Sequence, residues 1–260
     1  MRHFSFSLSV LSLWLFVSQI AMADYFLSAG HRIYFSDNQA HGPNVVLVHG
    51  FAMDSSMWLN ADFYSHLNTN YRVITIDLRG HGQSDKPTSV DEYGPNVGLD
   101  IVRLLDHLKI ESSHMIGFSM GSYMIARLLV SHPERVESAV LVSGFFPGNS
   151  KQETKFQEHV AEDMLEHGEL ALAAVAKGWA FDAVTKKQIS AIKVPLQFVF
   201  GSEELDDFYR SQKAMLELPR NSQPIKVIEG ADHDSQRAAI LHPELKSIII
   251  DFYQALKSEP

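Results

Sequence analysis

Gly117-Phe118-Ser119-Met120-Gly121 lies between an apolar run, His114 to Ile116, and a helix-forming stretch, Tyr123 to Val130. A serine between two glycines at a strand-to-helix junction is the pattern of a nucleophile elbow. The turn is so tight that the serine takes strained backbone angles, and a side chain at either flanking position would strike the neighbouring strand or helix. Glycine removes both collisions. The hydroxyl then stands clear of the sheet at the start of a helix, where backbone N–H groups and the helix dipole favour developing negative charge. A structural serine needs none of this.

The pentapeptide alone arises by chance in many chains, so its surroundings decide its meaning. Upstream, Asn44-Val45-Val46-Leu47-Val48 is a continuous apolar run, as in a parallel strand buried on both faces, and it ends in His49-Gly50-Phe51. Downstream, Leu196 to Phe200 runs into Gly201-Ser202-Glu203-Glu204, and Ile225 to Ile228 runs into Glu229-Gly230-Ala231-Asp232-His233. A serine, an acid and a histidine therefore follow the ends of apolar strands, in one of the chain orders known for a nucleophile, its orienting acid and its base.

On these residues, together with Asp77-Leu78-Arg79-Gly80-His81-Gly82-Gln83-Ser84-Asp85, the chain from about Tyr25 to its C-terminal helix resembles the α/β-hydrolase superfamily, in particular its compact serine esterases and lactonases. The resemblance implies an α/β fold: a mostly parallel eight-stranded sheet, helices on both faces, and a short helical cap insertion at about residues 146–192. It implies Ser119 as nucleophile, His233 as base, and an oxyanion hole made of the backbone N–H groups of Phe51 and Met120. Relatives place the acid on the third residue after the glycine that ends the strand, which is Glu204 here, with Asp206 as runner-up and Glu203 third. All three also fit a solvated acidic turn. Some members take the acid from the preceding strand end, but Ser143-Gly144-Phe145-Phe146-Pro147 offers no carboxylate. His49 and His81 read as loop-shaping residues. Two positions depart from the family: Ser122, where many relatives carry glycine, and Glu203-Glu204-Leu205-Asp206, where most carry one aspartate.

Composition narrows the partners. At 260 residues with 45% hydrophobic content, the chain suits one large α/β domain. Met1 to Ala23 has a basic start (Arg2), an apolar middle (Leu11 to Ile20) and an Ala21-Met22-Ala23 ending, the pattern of a secretory signal peptide. Cleavage after Ala23 leaves 24–260 as the hydrolase domain, exported to a periplasm or the medium; an uncleaved anchor is the alternative, although Leu11 to Val17 is short for a membrane span. That segment holds one basic and no acidic residue, so the whole-chain charge of -9 becomes -10 without it. Such a surface repels nucleic acid and anionic lipid. The absence of cysteine excludes disulfides. No H-E-x-x-H spacing occurs, so no metal or other cofactor is expected.

Strands are expected near 44–48, 71–77, 113–117, 138–143, 196–201 and 225–229, with helices near 56–67, 96–108, 119–131, 204–217 and 242–256. An edge hairpin precedes them, Tyr25 to Leu27 against Arg32 to Phe35. In the insertion, Phe145, Phe146, Met164, Leu165, Trp179 and Phe181 are expected to roof an apolar pocket; the plainer reading is helices that only cover the sheet edge. The leading function is hydrolysis of a small ester or lactone through an acyl-enzyme. Amide or carbon–carbon bond hydrolysis with the same groups, and non-catalytic binding of a small ligand, are the alternatives. Because both oxyanion donors belong to the backbone, Met120→Ala is expected to alter substrate binding and retain turnover in a steady-state assay. A folded variant without turnover would contradict that.

Overall fold

The computed structural model describes residues 22–146, 151–179, 184–205, 219, 221–233 and 235–258. The apolar runs become strands of one eight-stranded sheet: β1 (Met22–Ser28), β2 (His31–Asp37), β3 (Asn44–Val48), β4 (Arg72–Ile76), β5 (Ser113–Phe118), β6 (Val136–Val142), β7 (Leu196–Gly201) and β8 (Lys226–Ile228). Their spatial order is β1-β2-β4-β3-β5-β6-β7-β8. β2 runs antiparallel to β1 and β4, and the pairs from β4 through β8 are parallel. The expected edge hairpin is β1 and β2. The parallel strands are apolar on both faces because helices cover both.

Those helices are α1 (Asp62–Asn70), α2 (Pro95–Leu108), α3 (Met120–Ser131), α4 (Lys151–Glu166), α5 (Leu170–Gly178), α6 (Lys186–Ala191) and α7 (Glu244–Ser258). Strand residues alternate between two cores. Val46, Val48, Met115, Leu141 and Phe198 face α2 and α3, joined by Ile101, Leu105, Met124 and Leu128. Val45, Leu47, Ile116, Val140 and Val199 face α1 and α7, joined by Phe63, Leu67, Ile249 and Phe252. Each such buried side chain contributes about 1.5–3 kcal/mol of transfer free energy. Among the described residues no helix is long and apolar enough to cross a membrane.

The helix expected at 56–67 is two pieces. A 3-10 turn, Ser55–Asn60, precedes α1, and Ala61 between them is extended. The Asp54 carboxylate accepts the Ser56 N–H and starts the turn early, while fully buried Trp58 anchors it. Of the helix expected at 204–217, only the 3-10 turn Glu203–Leu205 falls among the described residues. The inserted segment between β6 and β7 carries α4, α5 and α6. Helix α5 rests on the loop after β4: a Cβ at Gly80 would lie 2.7 Å from Val175 Cγ2.

The tightest approach in the sheet is between α3 and β3. A Cβ on Gly121 would lie 2.0 Å from the Val48 carbonyl oxygen, a distance no rotamer relieves because both groups are backbone. Gly168 is the contrast, with φ +78° and nothing within 4 Å. Gly121→Ala is therefore expected to abolish folding or cost more than about 4 kcal/mol, whereas Gly168→Ala should cost roughly 1–2 kcal/mol for its positive φ. Urea denaturation of the two variants checks the difference; equal costs would contradict the close-approach account.

Candidate active site

Ser119 joins β5 to α3 with φ 49° and ψ -116°. An N-cap serine ordinarily has extended angles and uses its oxygen to accept an N–H of the first turn. Here the angles forbid that, and no side-chain cap bond forms. The hydroxyl is left for another partner, and Ser119 Oγ lies 3.0 Å from His233 Nε2. The Ser119 N–H donates to the Val142 carbonyl at 2.9 Å, which pins the elbow to β6. Ser122, the departure from glycine, is fully buried, and its hydroxyl lies 2.8 Å from the Gly117 carbonyl and 2.9 Å from that of Val142. It fits because Gly144 opposite has no side chain: a Cβ there would stand 2.5 Å from Ser122 Cβ.

His233 follows β8 and its ring stacks on Phe118, centroids 5.4 Å apart. Its loop is tied to the one after β7. Glu203 N–H donates to the Ala231 carbonyl at 3.0 Å, Ser202 N–H to Ile228 at 2.9 Å, and Gly230 N–H to Ser202 Oγ at 2.8 Å. Gly201 permits this approach, since a Cβ there would meet the Ala231 carbonyl oxygen at 2.2 Å. The stitching carries Glu204 inward while Glu203 is exposed. Glu204 Oε2 is buried, has no hydrogen-bond partner and lies 4.0 Å from His233 Nδ1, beyond hydrogen-bond length. Glu204 Oε1 accepts the Ser143 hydroxyl at 2.7 Å. Asp206 lies outside the described residues. Asp232, although next to His233, is occupied by Ser235 and Arg237.

Beside the elbow, Gly50 sits close to Phe118: a Cβ would be 3.0 Å from its ring. Phe51 follows, with Trp179 of the inserted segment at 4.9 Å between ring centroids and His81 at 5.8 Å. Met120 is the first residue of α3, so its N–H has no carbonyl one turn earlier in the helix. His49 is fully buried and bonded at both nitrogens: Nε2 accepts the Leu78 N–H at 2.9 Å, so Nδ1 carries the proton it shares with the Gly50 carbonyl at 2.7 Å. Burial holds its pKa down at about 4. His81, close to its ring, is pushed down to about 3 for the same reason. Both histidines hold loops in the neutral form.

Below them, Arg79 and Asp100 form a pair with no solvent exposure, Nε to Oδ2 at 3.0 Å and a terminal nitrogen to Oδ1 at 2.8 Å. The same guanidinium donates to the carbonyls of Glu92 and Ser28 at 2.9 and 3.2 Å. A buried charge is tolerated only when so fully paired. Asp77 binds Ser55 N–H and Gln83 N–H through its two oxygens, at 2.8 and 2.7 Å, and the turn closes because Gly82 has no Cβ to meet that carboxylate.

Three features of the site were not apparent in the sequence. Ser143 and Ser202 look like ordinary loop serines, and Gly201 like a strand end. Of the residues expected to roof a pocket, Phe145 and Phe146 are buried against Phe198, and Phe145 also against Phe200. Leu165 is 43% exposed. Trp179 packs against Phe51, and Phe181 lies outside the described residues. Among the described residues, no group of three or more His, Asp or Glu side chains could hold a metal ion.

Fold and site geometry together define an α/β hydrolase. The sequence profile of the alpha/beta hydrolase fold matches residues 43–237, and the chain belongs to that family. Among curated proteins it is similar to a putative non-heme chloroperoxidase of Synechocystis sp., 38% identical over 117 residues, which are 45% of this chain and 41% of that protein. It is also similar to a 2-hydroxy-6-oxononadienedioate/2-hydroxy-6-oxononatrienedioate hydrolase of Paraburkholderia phymatum, 34% identical over 124 residues, 46% of this chain and 42% of that one. The match thus spans about two-fifths of the length of these relatives. Among solved structures, an epoxide hydrolase from Vigna radiata superposes with a TM-score of 0.69 at 16% identity, covering 92% of this chain and 98% of that one, a likeness of fold.

The two depressed histidines carry a pH consequence. Their folded values lie below the ordinary 6.5, so between about pH 6.5 and 4 the unfolded chain binds more protons than the folded one. Stability is therefore expected to fall as pH is lowered through that window. Urea midpoints at pH 7.5 and 5 measure it. His81→Asn should flatten the dependence, and an unchanged slope would assign the loss to other groups.

Proposed function

We propose that the protein is a serine hydrolase of carboxylic esters or lactones that works through an acyl-enzyme. The observation that carries this reading is the 3.0 Å contact between Ser119 Oγ and His233 Nε2, with the Glu204 carboxylate buried behind the imidazole. A serine hydroxyl is a poor nucleophile until a base takes its proton. In this reading His233 Nε2 removes that proton as Oγ attacks the carbonyl carbon, and the negative charge forming on the carbonyl oxygen is met by the N–H groups of Met120 and Phe51. The imidazolium returns the proton to the leaving alcohol, and a water activated by the same nitrogen releases the acid. Glu204 holds the imidazole tautomer and stabilises its cationic form. The 4.0 Å gap to Nδ1 is consistent with a resting site: positive charge on the ring strengthens its attraction to the unpartnered Oε2.

A second reading keeps the same three residues and cleaves a carbon–carbon bond next to a ketone. The similarity to the Paraburkholderia phymatum hydrolase favours it. The chain is also proposed to be exported, on the pattern of Met1 to Ala23. Cleavage there would remove two β1–β2 pairs, Met22 with Asp37 and Ala23 with Ser36, and leave the five from Asp24 to Ser28.

The first measurement is hydrolysis of p-nitrophenyl esters from acetate to decanoate by protein beginning at Asp24. Activity is expected, with an optimum that sizes the acyl pocket, and Ser119→Ala should abolish both turnover and fluorophosphonate labelling. Glu204→Gln should lower kcat by roughly 10³–10⁴-fold. Labelling without ester turnover would move the reading to the 2-hydroxy-6-oxodienoates; neither activity nor labelling in folded protein would overturn it.

A further inference from the structure

Ser143 follows the last residue of β6 with φ +55°, a positive value that a serine adopts only at some cost. Its N–H donates to the Val199 carbonyl at 2.9 Å, which fixes its backbone to β7. Its hydroxyl points across to the loop after β7 and donates to Glu204 Oε1 at 2.7 Å, both side chains being buried. The two oxygens of the carboxylate are thereby divided: Oε1 is held from the sheet and Oε2 is left unpartnered on the side of His233.

We propose that Ser143 is a positioning residue of this active site, whose hydroxyl fixes the Glu204 carboxylate so that Oε2 alone is presented to the imidazole. The proposal rests on the reading of Glu204 as the acid. Its physical ground is the length of the glutamate side chain. With three rotatable bonds, a glutamate loses more freedom on being held in one geometry than an aspartate does, and among the described residues the hydroxyl of Ser143 is what holds its far end. A hydrogen bond to a charged acceptor, formed by a donor whose own backbone is locked between two strands, supplies that restraint. The strained φ is consistent with this role, because the left-handed bend at the end of β6 turns the hydroxyl toward β7.

The test is a double-mutant cycle in purified full-length enzyme, with kcat and KM measured on the best p-nitrophenyl ester. Ser143→Ala removes the hydroxyl and keeps the strain; Ser143→Gly removes the hydroxyl and relieves the strain. Both are expected to lower kcat about tenfold with KM little changed. Ser143→Asn, which keeps a donor and tolerates positive φ, should recover most of that loss. In a Glu204→Gln background, Ser143→Gly should have little further effect, since the group it acts through has lost its charge. The His233 imidazole ¹⁵N resonances, read without substrate, should shift in Ser143→Gly and return in Ser143→Asn. Wild-type kcat in Ser143→Gly, or equal losses in both backgrounds, overturns the role of Ser143 while leaving the hydrolase reading intact. Full activity in Glu204→Gln overturns both the role of Ser143 and the choice of Glu204 as the acid, and leaves ester hydrolysis itself standing.

Discussion

Backbone meets backbone where α3 crosses β3, and only a hydrogen atom fits between Gly121 and the Val48 carbonyl. The rest of the site hangs on that contact. It fixes the height of the helix over the sheet, and that height fixes the turn at Ser119, whose angles in turn deny its side chain the usual capping bond. A hydroxyl without a local partner at the rim of the sheet is chemically useful only if a base reaches it. More than a hundred residues later, His233 comes within 3.0 Å of it.

Around this contact the polar groups are arranged as a foundation. Arg79 and Asp100 tie the end of β1, the loop after β4 and helix α2 into one buried cluster. Burial still pushes the Asp100 carboxyl above its ordinary value, so the guanidinium only offsets desolvation. The value of the pair lies in geometry: it holds the loop after β4, whose Leu78 N–H meets neutral His49 and whose His81 packs on His49 and Phe51.

Much of this was legible in the sequence because its physical cause is local. Continuous apolar runs gave strands where both faces are covered, and paired glycines gave the elbow where backbone must approach backbone. The histidine after the last strand was equally plain. That Glu204 is buried while Glu203 is exposed was not, because burial of one carboxylate depends on a close approach of Gly201 to Ala231 and on a serine about sixty residues upstream. The packing of Phe145 and Phe146 on β7 was hidden for a related reason: aromatic residues after a strand fit a pocket roof or a core equally well, and their contacts with Phe198 and Phe200 come from a strand about fifty residues on. The break at Ala61 was hidden because Asp54, which starts the early turn, lies ahead of the helical pattern.

His233 and Glu204 stand toward one margin of the sheet. β8 is three residues long, pairs among the described residues with β7 alone, and carries His233 just beyond it. Strands of this kind open more readily than those in the centre of a sheet. Fraying of this margin would withdraw the imidazole from Ser119 while β3, β4, β5 and β6 stay in register. In the proposed hydrolase, activity and fold would then have separate melting points, activity being lost reversibly while the sheet is still whole.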